Sequence, residues 1–170
     1  MYVSVNDAWT LLHGMLFGAL FLLAFAGGFA GLYSLRSNLV TAEGVKERLQ
    51  RLQLGTWTMA IVAWLTVITG TYVPYIPYRA QGPLSPKSIL VSNPQTALWH
   101  EFGMEWKEHI AWIAPILATV VAYLVYYYGR RLVREDKIRR IAMAMFTLSF
   151  VAAAVAGVFG ALITKAAPVK

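Results

Sequence analysis

Cysteine is missing from this chain of 170 residues. Its absence excludes disulfides, thiolate metal sites, iron–sulfur clusters and covalently attached c-type haem. Charge is sparse as well: Asp, Glu, Lys and Arg make up 14% of the residues, with 8 acids and 3 histidines. Apolar side chains fill the space, at 58% of the total, and the mean hydropathy is +0.56. Soluble domains run nearer half apolar, so the excess points to a chain that lives in a bilayer. Lys and Arg are also lacking from Met1 to Trp9, where Asp7 stands instead. A signal peptide needs a basic start, so the first apolar run is expected to be retained, although Ala24-Phe25-Ala26 has the look of a cleavage site.

Four apolar runs, at residues 8–35, 54–76, 105–128 and 141–164, each approach the roughly 20 residues that cross a bilayer as helix. The expected fold is an all-α integral membrane protein, a four-transmembrane-helix bundle forming a single domain over residues 1–170. In the first run Phe17, Phe21, Phe25 and Phe29 recur every fourth residue, and Gly14/Gly18 and Gly27/Gly31 form two small-xxx-small pairs. Such pairs admit a neighbouring helix or a flat ligand close to the backbone. The fourth run carries the small stripe Ala153, Gly157 and Ala161. Residues 36–53 and 129–140 read as polar loops. The connector at 74–93 holds Pro74, Pro77, Pro83 and Pro86 and shows no helical period, so an ordered external loop is expected there. Asn93-Pro94 reads as a helix start, Gly103 as a possible break, and Pro115 as a kink in the third span.

The net charge of +7 is unevenly placed. Arg36, Lys46, Arg48 and Arg51 lie in one loop; Arg130, Arg131, Arg134, Lys137, Arg139 and Arg140 lie in the other loop of the same side. The opposite side, with both termini and the proline-rich connector, has Arg79, Lys87, Lys107, Lys165 and Lys170. The positive-inside rule makes the first side cytoplasmic and places both termini on the outer, periplasmic side of a bacterial cytoplasmic membrane. It also accounts for the basic charge without a nucleic acid.

Against this background one stretch stands out, Trp99 to His109, which holds His100, His109, Glu101, Glu105 and Glu108. Ionisable groups are costly at the start of a span and need partners or a function. His13 lies near the start of the first span and His109 near the start of the third, and both spans run in the same direction. Two histidines at matched depth on different helices of a bundle suit the two axial positions of one haem b iron. Gly14 and Gly18 would admit the porphyrin edge, with Arg79 or Lys107 towards its propionates. Glu105 and Glu108, with His100 and Glu101 further out, are candidates for orienting a ligand or passing protons. His100, Glu101 and Lys107 otherwise read as outer surface. The same side chains are open to two other readings. Glu101, Glu105 and His109 share a helical stripe that could hold a first-row metal in a small membrane enzyme. The histidines could also be interfacial groups bonded to lipid headgroups or loop carbonyls, in a cofactor-free accessory subunit of a respiratory or photosynthetic complex.

The four spans and the His13/His109 pair resemble small four-helix membrane cytochromes of the b type. That resemblance implies a single bis-histidine haem and an electron-transfer subunit rather than a stand-alone enzyme. Electrons would pass near the outer face between a quinol pool or partner membrane subunit and a periplasmic electron carrier. A fainter similarity to half-size haem A synthases differs in ligand placement, since their histidines lie on the second and fourth spans.

Overall fold

The computed structural model describes residues 5–168, and every regular element among them is helical. Four helices are long and apolar enough to cross a membrane: α1 (Asp7–Ser34), α2 (Ala42–Tyr72), α5 (Trp99–Val133) and α6 (Asp136–Ala166). Two short helices, α3 (Tyr75–Tyr78) and α4 (Pro86–Ser92), lie between α2 and α5.

Several boundaries differ from the sequence expectation, each for a local reason. The polar segment 36–53 is helical from Ala42, because Thr41 Oγ1 accepts from Gly44 N at 3.1 Å and caps the first turn, with Glu43 favouring the helix dipole. Likewise α6 starts at Asp136, inside the second basic segment. The connector expected to be free of helix contains α3 and α4. Ser85 caps α4 by accepting from Ser88 N at 3.2 Å, and Pro86 occupies its first turn. Asn93 closes α4 and opens a turn at 94–96 ahead of α5 rather than capping its first turn, its Oδ1 accepting from Gln95 N at 3.0 Å. Gly103 breaks nothing: α5 runs through it, with Gly103 buried.

Helical regularity changes instead at three widened, π-type segments, Leu12–Leu16, Trp99–Met104 and Trp106–Ile110. Pro115 explains the end of the last one. It has no N–H for the Ala111 carbonyl, and the backbone N–H of Ala111 itself reaches back five residues to Trp106 O at 2.9 Å. Each of the three histidines sits in one of these segments.

The chain divides into two compact units, and each long helix contributes to both. One comprises Met1–Gly18, Trp64–Trp112 and Ala152–Lys170. Its core gathers Tyr78, Leu90, Met104, Ile163 and Ala167, with Tyr75, Trp99 and Phe159 packed around them. Gly103 lets the Phe159 ring press against α5, and Trp106 Nε1 donates to Ala152 O at 3.1 Å. The other comprises Ala19–Ala63 and Ile113–Val151. There the phenylalanine row meets α6: Phe25 stacks on Phe150 at 4.2 Å, and the Phe146 ring fills the space that Gly28 leaves open. Gly31 admits Leu52 in the same way, whereas Gly27 faces open space. Ser149 Oγ donates to Ala114 O at 2.8 Å, and buried Arg139 donates to Leu132 O at 3.0 Å.

Candidate functional site

All the site residues expected from the sequence, apart from Gly14 and Gly18, carry polar or ionisable side chains, and all of them fall in the first unit. His13 is half-buried, and its Nδ1 lies 3.1 Å from Thr69 Oγ1 on α2. Gly70 follows on the same helix. A Cβ there would stand 2.8 Å from His13 Cε1, so only glycine leaves room for the ring.

Thr69 Oγ1 also lies 2.7 Å from Leu65 O. With the hydroxyl proton directed there, the oxygen accepts from His13 Nδ1–H and Nε2 is left bare. His109 arrives at the same tautomer independently. Its Nδ1 is 3.1 Å from the Glu105 carbonyl and 3.3 Å from Glu105 Oε2, both pure acceptors of its own helix. His109 is largely exposed, at 67% of its side chain.

His100 is placed differently. Its Nδ1 lies 2.8 Å from the Tyr78 hydroxyl, a group that donates as readily as it accepts, so this contact leaves the tautomer open. Burial pushes the Tyr78 phenol up to about 12 and keeps its proton in place. Glu101 is exposed. Glu108 is held by Arg79, whose Nη2 forms an ion pair with its carboxylate. That hydrogen bond raises the Arg79 pKa, and the guanidinium also lies 5.3 Å from the Tyr75 ring centre. Arg79 Nε is buried with no partner among the described residues.

Lys107, expected at the outer surface, points inward. Its Nζ reaches α6, 3.2 Å from where a Gly160 Cβ would be, and its charge acts on the His13 ring. Gly14 and Gly18 face open space and take no part in helix packing. Cavities of about 440 and 650 Å³ lie elsewhere, one along Leu23, Gly27 and Leu52, the other along the Pro77–Pro86 connector.

The arrangement divides the charged stretch among different neighbours rather than closing it into one cluster. Among the described residues no group of three or more His, Asp or Glu assembles to hold a metal ion. The Glu101/Glu105/His109 stripe therefore lacks the ligand set that a non-haem metal needs. Thr69, Gly70 and Gly160 were not singled out in the sequence, because each gains its role only through a partner distant in the chain. The chain matches no protein-family model, no curated protein and no solved structure.

Proposed function

We propose that this chain is a b-type cytochrome subunit of a bacterial cytoplasmic membrane, with His13 and His109 as the axial ligands of a single haem. The observation that carries the reading is a shared placement: Nδ1 of each histidine lies 3.1 Å from an oxygen, Thr69 Oγ1 or Glu105 O, and neither Nε2 has a partner among the described residues. Ligating histidines are held in this way, their distal N–H fixed by a carbonyl, carboxylate or hydroxyl. The remaining features suit the group. Gly14 and Gly18 leave open space beside His13, and Arg79 Nε and Lys107 Nζ are cationic donors with no protein acceptor.

In this reading Thr69 and Glu105 orient the two imidazoles, and the Arg79–Glu108 pair fixes the polar edge of the site. A bound haem supplies one-electron transfer. The chain's own residues bind it, hold its ligands in one tautomer and keep its surroundings apolar. With the basic loops on the cytoplasmic side, the site lies towards the periplasm, where electrons would pass between a quinol pool or partner subunit and a periplasmic carrier.

The test is the optical spectrum of the purified chain before and after dithionite. A Soret band with a sharp reduced α band is expected. It should be lost in His13→Ala and His109→Ala and kept in His100→Ala. A colourless, fully helical preparation with no extractable haem overturns the reading and leaves the cofactor-free accessory subunit in its place.

A further inference from the structure

Among the described residues Lys107 has neither a hydrogen-bond nor an ion-pair partner, and its side chain is half-buried. The acids on either side of it in sequence are committed elsewhere: Glu108 pairs with Arg79, and Glu105 lies against His109. The Nζ lies instead against the bare backbone of Gly160, within electrostatic reach of His13. An unpaired cation on a membrane-length apolar helix is costly and marks a ligand or transport site by default. Glycine at position 160 eases this approach, since a Cβ there would stand 3.2 Å from the ammonium and make it yield by a few tenths of an ångström.

We propose that Lys107 is the counter-ion for a carboxylate on a ligand bound beside His13 and Gly160. Two sources share that chemistry. One is a haem propionate, which rests on the cytochrome reading; the other is the head of a fatty acid, which does not.

The experiment uses the full chain in detergent, as wild type, Lys107→Met and Lys107→Arg. Each is titrated with protohaem IX and with its dimethyl ester, in which the carboxylates are masked. Each is also melted with laurate and with dodecanol. A charge-assisted pair predicts that Lys107→Met loses on the order of tenfold to a hundredfold in affinity for the free acid and little for the ester. Lys107→Arg should recover most of the loss. If the chain takes up no haem, the cytochrome reading fails alone. The inference then stands where laurate, and not dodecanol, raises the melting temperature of wild type and not of Lys107→Met. It is overturned if Lys107→Met binds acid haem and laurate as wild type does, or loses acid and ester equally. Should Lys107→Met fail to fold, Gly160→Ala keeps the lysine and crowds its ammonium, and it should erode the same preference for the free acid.

Discussion

At the scale of single residues the site turns on where one proton sits. With the Thr69 hydroxyl proton directed to Leu65 O, 2.7 Å away, its oxygen accepts from His13. Thr69→Val is isosteric and cannot accept. It should weaken haem binding by about tenfold to a hundredfold in a haem titration, with Thr69→Ser close to wild type. Gly70→Ala should act in the same direction by a different cause, since its Cβ would meet His13 Cε1 at 2.8 Å and displace the ring. An unchanged affinity in both variants would show that the orientation of His13 is irrelevant. The histidines themselves were legible in the sequence because ionisable groups are rare in this chain. Their tautomers were not, because Thr69 stands 56 residues from His13. Lys107 was misplaced for the same reason: its destination, Gly160, lies on another helix. Tyr78 adds a pH dependence. Its folded pKa of about 12 exceeds the roughly 10 of an unfolded tyrosine, so its contribution is intact below pH 10 and fades from there towards 12. Melting temperatures across that range should fall less steeply for Tyr78→Phe than for wild type.

At the scale of elements, the four long helices could be read from hydropathy, but their ends in the basic segments could not. Hydropathy registers where the apolar run stops, whereas the helix continues until its backbone N–H groups find a cap, at Thr41 for α2. The Ser85-Pro86 start of α4 was visible in the sequence and was outweighed by the density of prolines around it. Small residues show the same limit. Gly27 and Gly28 are neighbours on α1, yet only Gly28 is met by a ring, with a Cβ there 2.7 Å from Phe146. Phe146 is fully buried and has little freedom to retreat. Gly28→Ala should therefore cost about 1–3 kcal/mol as overpacking. Gly27→Ala, facing open space, should stay within about 0.5 kcal/mol of wild type. Reversible denaturation in detergent measures both, and equal losses would contradict the packing around Phe146.

At the scale of the whole molecule the decisive question is sidedness, because under the proposed cytochrome function it determines which redox partners could reach the histidines. The charge asymmetry includes Arg139, which is buried and bonded to Leu132 O and Asp136, so it anchors the start of α6 as well as carrying charge. Arg130, Arg131, Arg134 and Arg140 lie beside it, so the expected sidedness does not depend on Arg139. The lack of native cysteine makes a direct test simple. Ser37→Cys, Gln81→Cys and Glu135→Cys each introduce a single thiol at an exposed connector position. In intact cells a membrane-impermeant maleimide should label Gln81→Cys at once, and should reach Ser37→Cys and Glu135→Cys only after lysis. The side that carries Gln81 also carries α3 and α4, the helices joined through Tyr78 and Arg79 to His100 and Glu108. The opposite labelling pattern would turn this polar edge towards the cytoplasm, and a periplasmic carrier could then no longer be the electron acceptor.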